Sequence, residues 1–193
     1  MQHVEHEFGP VWDTRSRVLV LGSMPSPKSR DAGFYYMHRS NRFWPVMAAI
    51  FRDDSCLPAT GSPWPTSPDG LGALVDARRA FALRHGLALW DVIASCDITG
   101  ASDASIRNAV PNDIPSMVRG SGVTHIFTTG AKAAQLYRRL VAPMMASAGL
   151  DGIAFTPLPS TSSANAGMSL GDLVEAYRPV AVATDGRSVG ALL

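Results

Sequence analysis

Four consecutive apolar residues, Val18, Leu19, Val20 and Leu21, stop at Gly22, and the loop that follows cannot continue them as a helix. The run is short, apolar and half β-branched, the pattern of a strand buried on both faces. Ser23, Pro25, Ser26, Pro27 and Ser29 break it, because proline removes a backbone donor and serine favours turns. Phe34, Tyr35 and Tyr36 come next, with His38 close behind, and Asn41-Arg42-Phe43-Trp44 opens a second apolar run. Seven Lys/Arg and one Asp fall between Arg15 and Arg52, although the net charge of the chain is only +1. A polar loop, adjacent rings and basic side chains are what a protein needs to hold a nucleic-acid backbone and pack an unstacked base.

The rest of the chain alternates strands with helices. Residues 42–51 read as a helix, with Asn41 suited to its N-cap and Pro45 within its first turn. Residues 53–70, which hold Pro58, Pro63, Pro65 and Pro68, read as a long surface loop. A helix is expected over 71–85, ended by Gly86, and a second strand over 86–90. Residues 91–112 are polar and read as irregular. A short helix over 111–119, a strand over 123–129, a helix over 131–145, a strand over 153–156 and a helix over 169–177 follow, with a frayed tail from Thr184. This order predicts an α/β fold with a mostly parallel sheet covered by helices on both faces. Ligands of such sheets bind beyond the carboxyl ends of the strands, where the loops after the first and last strands meet.

Composition narrows the classes. With 193 residues, 46% of them apolar, one core and one domain spanning residues 1–193 is the expectation. No run is long enough for a membrane helix, and the acidic, polar N-terminus does not read as a signal peptide. Cys56 and Cys96 suit free thiols in a reducing compartment, so a cytoplasmic location is expected, at the nucleoid if the source is bacterial. The two are too few for an iron–sulfur cluster. No zinc-site spacing is present, so neither metal nor other cofactor is expected.

The stretch Gly22-Ser23-Met24-Pro25-Ser26, with Ser29, Gly33-Phe34-Tyr35-Tyr36, His38 and Asn41-Arg42-Phe43-Trp44, resembles motif 1 of the uracil-DNA glycosylase superfamily. It looks most like the hypoxanthine-DNA (deoxyinosine) glycosylase branch. Leu158-Pro159-Ser160-Thr161-Ser162-Ser163-Ala164-Asn165 is similar to motif 2. The resemblance runs from about Arg15 to Tyr177. It implies a three-layer α/β/α sandwich around a four-stranded sheet, a monofunctional glycosylase of base excision repair, and DNA as the partner of a monomer. Deaminated bases, hypoxanthine first and uracil second, are the implied substrates.

The resemblance also carries roles to residues. Asn41 matches an Asn that is catalytic in this branch, and its amide can accept from a water while donating to a base carbonyl. Capping a helix is its other reading, and the two are compatible. Tyr36 matches the ring that stacks on a flipped base, and its alternative is the core. Gly22, Met24, Pro25 and His38 fall in the implied base pocket. Met24 departs from branches that carry a water-activating Asp or Asn there, and Leu158 departs from those with His or Asn, which shifts weight to Asn41 and Ser23. Ser26, Lys28, Ser29, Arg30 and Arg42, with Ser160, Thr161, Ser162, Ser163 and Asn165, are expected to contact DNA, mainly its phosphates. Lys28 reads as a phosphate contact rather than a Schiff-base nucleophile. Two rival classes remain. One is a module that grips damaged or abasic DNA without excision. The other is a serine hydrolase using Ser23 or Ser26, His38 or His125, and Asp91, although no G-x-S-x-G surrounds either serine.

Overall fold

The computed structural model describes residues 1–100 and 102–185. Along the chain run β1 (Gln2–Glu5), β2 (Val18–Gly22), α1 (Pro27–Asp31), α2 (Phe43–Phe51), α3 (Pro68–Arg84), β3 (Leu87–Asp91), β4 (Ile93–Ile98) and β5 (Arg107–Pro111). Then follow α4 (Ile114–Gly120), β6 (His125–Thr129), α5 (Ala131–Leu136), α6 (Ala142–Ser147), β7 (Ala154–Leu158) and α7 (Leu170–Thr184).

The central sheet has the order β3-β2-β6-β7, and every pairing in it is parallel. The first apolar run is thus β2, one of its two interior strands, all five residues of which are buried. Its side chains alternate. Val18 and Val20 point into a core shared with α2, α3 and α7, where Trp44, Phe81 and Tyr177 are buried. Leu19 and Leu21 point the other way, toward Ile114, Leu136, Val141 and Met145 of the α4–α6 side. A strand that feeds two cores must be apolar at every position, which is why β2 shows no polar alternation. The result is the expected α/β sandwich, with a four-stranded central sheet flanked by helices.

A second sheet was not anticipated. β1, β4 and β5 form an antiparallel sheet in the order β1-β4-β5, so residues 91–112 are largely paired rather than irregular. The signal is weak because β4 and β5 shift register twice, between Ile93/Ser95 and Ser95/Asp97. Bulges of this kind break the two-residue period on which strand recognition depends. Other boundaries moved for local reasons. The helix expected from Leu71 begins at Pro68, because Ser67 accepts from the Gly70 N–H and Pro68 needs no partner in a first turn. The helix expected at 111–119 starts at Ile114, capped by Asp113. The long helix after β6 carries a wider π segment, Tyr137–Val141, before α6. Pro143 lies just beyond it and has no N–H to give the preceding turn. β7 extends to Leu158. The last helix runs to Thr184 from a Ser169–Asp172 capping box. The tail expected to fray lies, beyond Asp185, outside the described residues.

Strand β2 is covered on both faces and paired on both edges, whereas β5 is an outer strand with exposed residues. Amide hydrogen exchange should therefore find Leu19, Val20 and Leu21 opening only with global unfolding, and the β5 amides that are not paired to β4 exchanging orders of magnitude faster.

Candidate active site

The carboxyl ends of the parallel strands converge on one cleft. Gly22 ends β2, Asp91 ends β3 and Thr129 ends β6, and all three line a cleft of ≈ 300 Å³ together with Ser160 beyond β7. The loop after β2 supplies Ser23, Met24, Pro25, Ser26, Ser29, Tyr36, His38 and Asn41, and the loop after β7 supplies Thr161, Ser162 and Ser163. Most of the residues singled out in the sequence are thus brought together; Lys28, Arg30, Arg42 and Asn165 lie outside this lining.

Asn41 joins the two loops. Its Oδ1 accepts from the Phe43 N–H at 2.9 Å and from the Thr161 hydroxyl at 2.9 Å. A backbone N–H only donates, so this contact fixes which end of the amide is oxygen. Both lone pairs of Oδ1 are occupied, and Nδ2 with its two hydrogens remains for the cleft that Asn41 lines. The N-cap expectation is corrected: the helix begins at Phe43, so Arg42 takes the cap position without a side-chain cap bond, and Asn41, one residue earlier, bonds the N–H of the helix's first residue. Of the two duties expected of this amide, accepting from water and donating to a base, this geometry leaves the donor. Arg42 continues the stitch. Its backbone N–H donates to the Thr161 carbonyl at 3.0 Å. Its guanidinium donates to the carbonyls of Ser162 and Asn165, each at 2.8 Å, and of Met168. A side chain so committed organises the second loop rather than reaching out to phosphate. Asn165 is likewise turned inward, its Nδ2 donating to the Ser160 carbonyl.

Two carboxylates face the cleft, and neither sits at Met24. Asp91 is buried, and its Oδ2 lies 2.9 Å from Nε2 of His6, which is buried as well. A Cβ on Gly22 would stand 2.3 Å from Asp91 Oδ1, so only glycine lets β2 approach that carboxylate. Asp103 reaches in from the loop after β4, where its Oδ1 accepts from the Ser23 hydroxyl at 2.8 Å. The residue is exposed, but its carboxyl end is turned among protein groups. Desolvation raises its pKa, as does the Asp91 charge, against the Ser23 bond and Lys132, which lower it.

The rings divide. Phe34 is buried in the core and Tyr35, also buried, touches the cleft wall, while Tyr36 lines the cleft with one face against Phe43, 3.8 Å between centroids and 15° from parallel. Its backbone is left-handed at φ 56°, a conformation that costs a non-glycine residue about 1–3 kcal/mol and marks a site held by its surroundings. Burial pushes the Tyr36 hydroxyl pKa up, as does Asp91, and its oxygen lies 3.3 Å from Thr129 Oγ1. Met24 is buried and adds an apolar wall, and Leu158 belongs to the core. His38 is exposed at the rim, its Nδ1 accepting from the Ser40 N–H.

The basic excess of the sequence is split in space. Arg15 and Arg17 lie with Gly86 at the opposite end of the sheet, Arg42 is internal, and Arg30 donates to the Pro25 carbonyl. Lys28, 3.5 Å from Asp31, and Arg39 remain exposed beside the cleft. The serine hydrolase arrangement does not form. Ser23 bonds a carboxylate rather than an imidazole, and His125 bonds Thr156 at the amino end of β6. Among the described residues no three His, Cys, Asp or Glu side chains group as metal ligands.

Gly22→Ala is expected to lower stability by about 1–3 kcal/mol, the usual cost of overpacking. In a His6→Ala background the penalty should shrink, since the Asp91 carboxylate is then free to swing aside. Urea denaturation of the four proteins of this cycle measures both effects.

The comparisons with known proteins agree with this site. The family model "Uracil DNA glycosylase superfamily" matches residues 10–180. A protein named "Hypoxanthine DNA glycosylase" from Methanosarcina acetivorans is 23% identical over 84% of this chain and 89% of its own length. One of the same name from Methanosarcina barkeri is 29% identical over 52% of this chain, which spans about half (54%) of that relative. The solution NMR structure of a candidate uracil DNA glycosylase from Methanosarcina acetivorans superimposes with a TM-score of 0.65 at 22% identity, covering 89% of this chain and 94% of that one. At that identity the match speaks to the fold. With both motifs facing one cleft and the family model spanning nearly all of it, the chain belongs to the uracil DNA glycosylase superfamily.

Proposed function

We propose that this protein is a monofunctional DNA glycosylase that removes deaminated bases, hypoxanthine first and uracil second, and leaves an abasic site. The observation that carries this reading is Asn41, a cleft-lining residue whose Oδ1 is taken by Phe43 and Thr161, so that the amide hydrogens are its groups without a partner among the described residues. Hypoxanthine and uracil both present a carbonyl beside a ring N–H. Asn41 Nδ2 suits the carbonyl, and the Asp91 carboxylate, steadied by His6, suits the N–H. Adenine and cytosine present an amino group beside a bare ring nitrogen, the reverse pattern. A buried site built for one pattern rejects the other strongly, because its own polar groups are left unpaired. The names of the two Methanosarcina relatives support hypoxanthine as the first base to test.

Glycosidic cleavage draws on the same groups. A base flipped out of the stack packs on Tyr36. As the bond to C1′ breaks, negative charge grows on the base, and an amide already aimed at its carbonyl stabilises that charge without reorganising. Lys28 and Arg39, both exposed in the segment after β2, are the cations this reading assigns to the flanking phosphates.

Duplexes with a single deoxyinosine, uracil or xanthine, incubated with the protein and cleaved at abasic sites with alkali, test the reading. Strand cleavage at deoxyinosine is expected, and tight binding to an abasic duplex with no excision would favour a damage-binding module instead. Asn41→Asp keeps the acceptor for Phe43 and Thr161 but replaces the donor by a carboxylate. It should fold normally and excise deoxyinosine about 10²–10³-fold more slowly, the cost of losing one such donor. Near-normal single-turnover rates for both Asn41→Asp and Asn41→Ala would remove Asn41 from the mechanism.

A further inference from the structure

Hydrolysis at C1′ needs a water that is held and deprotonated, and the positions where such a residue is expected in this chain do not supply one. Met24 and Leu158 are apolar, and the Asn41 oxygen is saturated by Phe43 and Thr161. Two carboxylates line the cleft, and they differ in depth. Asp91 is buried at the end of β3, whereas Asp103 belongs to an exposed turn, Asp103–Ser105, and reaches in from the side. A flipped nucleotide enters base first while its sugar stays tethered to the DNA backbone at the mouth. The deeper carboxylate therefore meets the base and the shallower one meets the sugar.

We propose that Asp103 is the catalytic base of this glycosylase, with Ser23 as the residue that positions it. The Ser23 hydroxyl donates to Oδ1 at 2.8 Å, which fixes the carboxylate plane. Oδ2 makes no hydrogen bond to any described residue and is free to accept from a water. In the reaction the water oxygen bonds to C1′ and one water proton passes to Oδ2. The bond from C1′ to the base nitrogen breaks, and its electron pair leaves with the base. The departing base, held by Asn41 Nδ2, then takes up one proton, and Asp103 returns to the carboxylate. Water is consumed, and the products are a C1′ hydroxyl and the free base. Charge at the opening cation is also offset by the same carboxylate, which lies in a partly desolvated site.

The groups that set the protonation of Asp103 are Asp91 on β3, whose charge raises its pKa, Lys132 on α5, whose charge lowers it, and the Ser23 bond, which also lowers it. Cys96 on β4 is near enough to feel its charge. With desolvation the largest cause, the net shift is upward, so activity that needs the carboxylate is lost as pH falls through a midpoint raised from the ordinary Asp value.

This assignment rests on the glycosylase reading, and one set of measurements separates them. Single-turnover excision from a deoxyinosine duplex is followed from acid to neutral pH for the wild type, Asp103→Asn and Ser23→Ala. Binding is measured on a duplex with 2′-fluoro-2′-deoxyinosine, which resists excision. Asp103→Asn preserves an acceptor for Ser23 and should fold and bind like the wild type, excise about 10²–10⁴-fold more slowly and lose the acid limb of the profile. Ser23→Ala removes a bond that lowers the pKa of Asp103, so its acid limb should move to higher pH with a smaller loss at the plateau. An active wild type with an Asp103→Asn variant that keeps its rate within about 3-fold and retains the acid limb overturns this assignment alone. A wild type that excises none of deoxyinosine, uracil and xanthine overturns the glycosylase reading and this assignment with it.

Discussion

The site depends on one oxygen atom, Asn41 Oδ1, which ties the start of α2 to the loop after β7. The two loops are 120 residues apart in sequence, and the parallel sheet alone would leave them as neighbours without a fixed relation. Through Phe43 N–H and the Thr161 hydroxyl, that oxygen sets both the separation of the loops and the direction of its own amide. Arg42 reinforces the bond from the next position, with its backbone on Thr161 and its guanidinium on carbonyls further along the loop. These carbonyls are strong acceptors that need partners when water is excluded. One arginine satisfies three of them, which rigid loops of serine and small residues cannot do for themselves.

The floor of the cleft follows from a second close approach. Gly22 leaves room for Asp91, Asp91 is held by His6, and His6 comes from the segment just after β1. The small antiparallel sheet therefore does more than cover an edge. It delivers His6 through β1, and through the turn between β4 and β5 it delivers Asp103 opposite Ser23. Tyr36, strained at φ 56° and backed by Phe43, closes one side of the same space. A donor, two carboxylates and a ring are thus held by different elements, all at the carboxyl end of one parallel sheet.

The sequence was most legible where a single physical requirement set every residue. Strand β2 had to be apolar throughout because it faces two cores, and its sudden end at Gly22 placed the cleft. Asn41 read as the N-cap of a helix that starts one residue later, with Arg42 in that position, and the direction of its amide was not visible because it depends on Thr161. Arg42 read as a phosphate contact on charge alone, and its internal role depends on carbonyls that no local pattern reveals. Asp91 had a usable signal, since it is the residue on which a parallel strand ends. Asp103 and His6 had none. Both are brought in by β4 and its partners, whose bulges hide the strand period, and they meet Ser23 and Asp91 across 80 and 85 residues.

The donor orientation of Asn41 is open to direct observation through its side-chain amide. In a ¹⁵N-correlated NMR spectrum, a duplex bearing 2′-fluoro-2′-deoxyinosine should move one Asn41 Nδ2 proton downfield as it bonds the base carbonyl. The same duplex with the adenine analogue should leave it in place. An Asn41 side-chain signal that stays unmoved while backbone amides around the cleft report a bound inosine duplex, or that moves equally for both bases, would contradict the account.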